Sequence, residues 1–243
     1  MRRFFFTILL LISCTTVYNP ATGKKEFYFI NTETEVALGE SFKDQILSQK
    51  PQVKDKRLIA QVKRIGNRIA QVCDRKDLEY KFYVLKDKEI NAFALPGGFI
   101  FVNKGLLDIV NEDELAFVLG HEIAHVCCRH AVKRLQISLG YDLIINLALG
   151  KSKYIETKRA LNLMYELISL GYSRKDELMA DSLGVKYAFR AGFDPRAALS
   201  FFEKLKEKEK ESWPHLLVFL QSHPPLEKRI ENIKEQIKNL SLN

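Results

Sequence analysis

Residues 111–134 read NEDELAFVLGHEIAHVCCRHAVKR. Asn111 is a favourable helix N-cap, and Glu114, three positions on, completes a capping-box pattern. Glu112, Asp113 and Glu114 suit the positive end of a helix dipole, and Arg129, Lys133 and Arg134 suit the other end. The pattern predicts a helix from about Glu112 to Lys133. Between its charged ends the stretch is apolar on every side, through Leu115, Ala116, Phe117, Val118, Leu119, Ile123, Ala124, Val126, Cys127 and Cys128, so the helix is buried. His121, Glu122 and His125 nevertheless sit in its middle. Burying ionisable groups without partners costs several kcal/mol, and a metal ion is the most economical partner. Two imidazoles one turn apart share a helix face and can converge on one Zn²⁺ at roughly 2.0–2.1 Å. Glu122, rotated by about 100° from His121, is placed to take a proton from a water that the metal acidifies.

A catalytic zinc site uses three protein ligands. One kind of site takes a third histidine six residues after the second, but Ala131 stands there and His130 is out of register. His130 and His215 read as structural or exposed rather than as ligands. A glutamate from a later helix is the other common solution. Ser173-Arg174-Lys175-Asp176 opens a helix with a capping signature. Glu177 and Asp181 lie one turn apart on it, and Ala180, Gly184, Tyr187 and Ala188 share their face. Small residues there let this helix approach the motif helix closely. Glu177 is assigned as third ligand, and Asp181 as acceptor for the far nitrogen of a ligand histidine.

Around this core the chain divides simply. Its 243 residues suffice for one domain with a real core. A helix follows a cap at Thr32 or Thr34 and runs to about Ser48. A second runs from about Val53 to Val72, with Leu58, Val62, Ile65, Ile69 and Val72 at the 3.6 period. The period then changes. Tyr80, Phe82 and Val84 alternate with polar neighbours, and Asn91 to Leu95 and Phe99 to Val102 flank Pro96-Gly97-Gly98 as a predicted hairpin. Everything after Lys104 reads as helix, including the solvated charged run Glu203 to Glu211. The fold class is α+β, mostly helical, with a small sheet of about three strands.

Arg2 and Arg3 precede the apolar run Phe4 to Ser13, which is too short to span a bilayer and fits a signal peptide over 1–13. Leu11-Ile12-Ser13-Cys14 resembles a bacterial lipoprotein cleavage box, with Cys14 the lipidated residue. Thr15 follows rather than Asp, which by analogy with the bacterial sorting rule suggests the outer membrane. Residues 14–30, polar and turn-rich, read as a lipidated tether, and 31–243 as the catalytic domain. Lipidation leaves Cys73, Cys127 and Cys128, an odd number that excludes a full internal disulfide framework. All three read as small buried apolar residues. The formal net charge is +8, with Lys and Glu spread along the chain. It fits a basic protein near an anionic surface and lacks the aromatic-interleaved basic motif of a nucleic-acid binder. The apolar stretch from Gln136 to Gly171 lies between the two metal helices and reads as a lid or plug over the cleft, or as a surface touching lipid.

His121-Glu122-x-x-His125, Glu177-x-x-x-Asp181 and Ser222-His223-Pro224 together resemble the gluzincin metallopeptidases related to HtpX, BepA, LoiP and the CAAX prenyl endopeptidase. The resemblance covers roughly Glu33 to Ile233. The lipoprotein box, with no tetratricopeptide-like array, makes the chain most similar to small lipoprotein members. The resemblance implies a zincin-like metallopeptidase domain with one Zn²⁺ per chain. It implies that Asn91, Ala92, Phe93 and Ala94 form an edge strand that binds the substrate backbone as an added strand, a mode that tolerates varied side chains. It implies that His223 lies near the metal, stabilising the oxyanion or blocking the metal at rest, and that Arg229 matches a basic position after the His-Pro pair. The expected function is a zinc endopeptidase, periplasm-facing and membrane-anchored, acting on unfolded or misassembled envelope proteins. A different class, a membrane-tethered chaperone or assembly factor with a latent, self-capped zinc site, is the competing expectation; an intact Glu122 favours the enzyme.

Overall fold

A computed structural model describes residues 16–28, 30–139, 171–210 and 226–240, with single positions at 146, 162, 164 and 166. The signal peptide, Cys14, His215, His223 and nearly all of the 136–171 segment lie outside the described residues.

Strands β1 (Thr16–Asn19) and β2 (Lys24–Phe27) form an antiparallel hairpin. Helix α1 (Thr32–Gln49) follows. Its cap is Asn31, whose side chain accepts from Thr34 N, rather than Thr32 or Thr34. Helix α2 (Lys56–Ala70) starts one turn inside the predicted span, because the Asp55 side chain caps it and Val53 is drawn into a backbone hydrogen bond with Val84. Strands β3 (Lys81–Leu85), β4 (Ala92–Leu95) and β5 (Phe99–Asn103) form one sheet in the order β3-β5-β4. β3 is parallel to β5 and β4 antiparallel to it, joined through Pro96–Gly98 as the predicted hairpin. Gly97 and Gly98 take φ of 76° and 89° there, a region closed to most side chains.

The sheet alternates as its period of two requires. Phe82, Val84, Ala92, Ala94, Ile100 and Val102 face one core with α2. Leu85, Phe93, Leu95, Phe99 and Phe101 face a second core with α1. Both faces are therefore covered. The short helix α3 (Lys104–Leu107) leads to α4 (Glu112–Cys127), whose Asn111–Glu114 capping box is present. Every residue of α4 from Glu114 to Cys127 is buried.

The predicted single helix to Lys133 is instead two. The chain turns at Cys128 and Arg129, and α5 (His130–Leu139) restarts beyond. Arg129 has φ of 53°, a conformation unfavourable for a side-chain-bearing residue. Distant partners hold it there: Glu35 at 2.8 Å, the Ile30 carbonyl at 3.1 Å and the Tyr28 ring at 4.0 Å. Glu35 also takes a bidentate pair from Arg75 and accepts from Gly97 N. One buried carboxylate thus ties α1, the helix break and the β4–β5 turn together.

Helices α6 (Arg174–Arg190), α7 (Ala197–Lys210) and α8 (Leu226–Leu240) complete the described chain. α6 packs along α4, and α8 packs on α6. Within the stretch read as a tether, the β1–β2 hairpin is seated on the domain. Asn19 donates to the Cys127 carbonyl at 3.1 Å, and Glu26 meets Lys133 at 2.7 Å. Among the described residues no helix is long and apolar enough to cross a membrane.

Candidate metal centre

The site is built where α4 and α6 come closest. A Cβ on Gly120 would meet the Gly184 carbonyl at 2.8 Å, and one on Gly184 would meet His121 N at 2.9 Å. Two facing glycines thus let the backbones nearly touch beside His121. The capped start of α6, where Ser173 accepts from Asp176 N, then aims Glu177 and Asp181 at the motif helix.

His121 and His125 present their Nε2 atoms to each other at 3.0 Å. Glu177 Oε1 lies 3.4 Å from His125 Nε2, and Oε2 lies 3.6 Å from His121 Nε2. One ligand atom from each of the three residues falls within 4.8 Å of the others, and all three are buried. The set predicted from sequence is brought together.

The outer nitrogens set the tautomers. Asp181 Oδ1 lies 2.9 Å from His121 Nδ1. Burial alone would raise the Asp181 pKa, but the charge and hydrogen bonds of Arg229 and the bond to His121 hold it at about 2. An ionised Asp181 accepts the Nδ1 proton, so Nε2 of His121 carries its lone pair towards Glu177. Burial acts to lower the His121 pKa, yet Asp181 and Glu177 outweigh it and the net shift is upward. His125 Nδ1 lies 2.8 Å from His130 Nδ1, and His130 Nε2 lies 3.4 Å from Asp176. Burial lowers the His130 pKa to about 4, so the ring is neutral and can accept from His125. Both ligand imidazoles then point lone pairs inward beside a carboxylate. Such a set suits a divalent cation, which removes the repulsion among them.

His130, read from sequence as structural or exposed, is buried and touches a ligand ring. The turn at Arg129 brings it back to His125, and a continuous helix would have carried it away. Arg229 is also more central than its sequence position implied. It is 2% exposed and reaches Asp181 through two bonds of 2.7 and 2.6 Å, with Glu177 at 3.4 Å. Tyr172, not singled out in the sequence, stacks on His125 with centroids 4.3 Å apart. Its place immediately before the Ser173 cap was the available signal.

Glu122 is 3% exposed. Burial is the main cause that raises its pKa, to about 8, and Glu177 adds to it; His121, Arg229 and a hydrogen bond with the Ala94 backbone oppose it. That bond sets Glu122 against β4, the sheet edge beside the motif helix. Ala92, Phe93 and Ala94 lie in β4 and Asn91 just precedes it; all four are buried. Met164, a described residue of the apolar segment, shares a core cluster with Phe93 and Leu95.

A helix-borne His-Glu-x-x-His beside a small sheet, with a glutamate supplied by a later helix, defines a zincin-like domain. Residues 56–237 match Peptidase family M48, and the chain belongs to that family. It is 31% identical over 225 residues to the mitochondrial metalloendopeptidase OMA1 of Schizosaccharomyces pombe, covering 90% of this chain and 65% of that protein. It is 28% identical over 185 residues to the metalloprotease LoiP of Escherichia coli, covering 75% and 70%. The beta-barrel assembly-enhancing protease of Escherichia coli is 26% identical over 235 residues, covering 91% and 47%. The chain thus spans between about half and 70% of the length of these relatives.

Proposed function

We propose that the protein is a zinc-dependent endopeptidase of the bacterial envelope that cleaves unfolded or misassembled polypeptides. The observation that carries this reading is the convergence of His121, His125 and Glu177 with the buried carboxyl of Glu122 on the same helix. Zinc held by these three residues would polarise the scissile carbonyl and acidify a water molecule. Glu122 accepts the proton of the attacking water and passes it to the leaving amine. Asp181 fixes the His121 ring, Arg229 holds Asp181, and His130 fixes the His125 ring. The outer edge of β4 receives the substrate backbone as an added strand, with Asn91 to Ala94 alongside it. His223 contributes to oxyanion stabilisation or caps the metal at rest. The names of LoiP and of the beta-barrel assembly-enhancing protease support an envelope location, and Cys14 supports a lipid anchor facing the periplasm, in the outer membrane.

The test measures zinc content and casein cleavage for the wild type and for Glu122→Gln. The expected result is about one zinc per chain in both, with cleavage lowered in the variant by roughly 10²–10⁴-fold. Bound zinc without cleavage by either protein would overturn the enzyme reading in favour of a membrane-tethered chaperone.

A further inference from the structure

The β1–β2 hairpin has two unlike faces. Cross-strand partners share a face in an antiparallel pair, and the register pairs Val17 with Glu26 and Asn19 with Lys24 on one side. This side is fastened to the domain through the Asn19–Cys127 and Glu26–Lys133 contacts, with Val17 on it 47% exposed. The register puts Thr16, Phe27, Tyr18 and Lys25 on the other side. There Tyr18 is 59% exposed and Phe27 41%, with Lys25 exposed directly opposite Tyr18.

We propose that this outward face docks on a lipid bilayer carrying anionic headgroups. Three observations point to that occupant. Two aromatic rings beside a lysine form a side-chain set favoured at the boundary between headgroups and hydrocarbon. The chain bears a formal net charge of +8, and it stays basic without Arg2 and Arg3 of the cleaved segment, complementary to an anionic surface. Position is the third: Tyr18 is four residues from Cys14, and at most about 3.6 Å per residue keeps it within roughly 15 Å of that atom. The inference rests on the reading of Cys14 as the membrane attachment. It goes beyond that reading, because an anchor alone leaves the domain's orientation open. Docking of the hairpin would set it, since Asn19 holds the last turn of the motif helix.

The test uses the full chain with Trp213→Phe, which removes its only tryptophan. Tryptophan is then introduced by Tyr18→Trp, or by Lys234→Trp on the exposed side of α8. Each protein is reconstituted into phosphatidylethanolamine–phosphatidylglycerol vesicles containing brominated acyl chains. The expected result is a blue shift and loss of emission for Tyr18→Trp, and neither for Lys234→Trp. Flotation with the vesicles but equal, unquenched emission from both variants would overturn the docking and leave the anchor standing. Failure to float would overturn the anchor reading and the docking together.

Discussion

Gly184→Ala probes the packing that creates the metal centre. In an isolated helix the change would stabilise by about 1 kcal/mol, because alanine loses less backbone freedom than glycine. Here the new Cβ would lie 2.9 Å from His121 N and 3.1 Å from His121 Cα. Both contacts are backbone, so no flexible side chain can yield. Ordinary contact begins near 3.4 Å, so α4 and α6 must separate by about 0.5 Å, an overpacking that typically costs 1–3 kcal/mol. The propensity gain and this cost nearly offset each other in stability. The geometric effect has no such offset: Glu177 and Asp181 ride on α6 and retreat from the histidines, while zinc ligand distances tolerate only about ±0.2 Å. The expected outcome is a melting temperature close to wild type with zinc affinity lowered by about 10–100-fold. Competition against a chromophoric chelator measures the affinity, and calorimetry of the metal-free proteins measures the stability. Unchanged zinc affinity, or a clear rise in metal-free stability, would refute the close-approach argument.

Asp181→Asn leaves Arg229 buried against an amide, a loss of the order of 3–5 kcal/mol for one partner of a buried pair. It also turns Arg229 towards Glu177; denaturant melts should show the loss of stability, and zinc titration a weaker site. His130→Ala removes the acceptor for His125 Nδ1, and a roughly 10–100-fold loss of zinc affinity with an otherwise similar far-ultraviolet spectrum is expected. The pH dependence of the metal-free protein follows from Glu122. Its pKa is raised on folding from 4.5 to about 8, so the folded state binds the extra proton between those values. Stability from this group is full below pH 4.5 and is lost as pH rises towards 8, by a few kcal/mol in order of magnitude. Urea melts of the wild type and Glu122→Gln at pH 6 and pH 8 check this. Identical pH slopes in the two proteins would refute it.

The parts of the site legible in the sequence are those written in local spacing. The capping box at Asn111, the apolar surround and the i, i+4 histidines specify a buried metal helix without reference to the rest of the chain. Ser173, Glu177, Asp181 and Gly184 carry a second local pattern, and it pointed to the helix that brings Glu177 beside the two histidines. The β4–β5 hairpin was legible for the same reason, since Pro96-Gly97-Gly98 sits between two short alternating runs. The break after Cys127 was not. Arg129 adopts its unfavourable φ because Glu35, Ile30 and Tyr28, about a hundred residues earlier in the chain, hold it. No local propensity announces a conformation stabilised by distant partners.

That break has chemical consequences, because it places His130 against His125. The hairpin of residues 16–27 was hidden likewise. Polar and turn-rich, it reads as a tether, and only its seats on Cys127 and Lys133 give it a fixed face. Arg229 gained its central place from the packing of α8 on α6, which aims one guanidinium at both Asp181 and Glu177. The sequence by itself picked out the candidate metal ligands, the candidate base and the helices that carry them, since those follow from periodicity, capping and spacing. Tertiary structure alone decided how the ligand rings are oriented, how deeply Glu122 is buried and which face the hairpin presents. Those depend on contacts between residues far apart in the chain, and on how closely Gly120 and Gly184 let two helices approach.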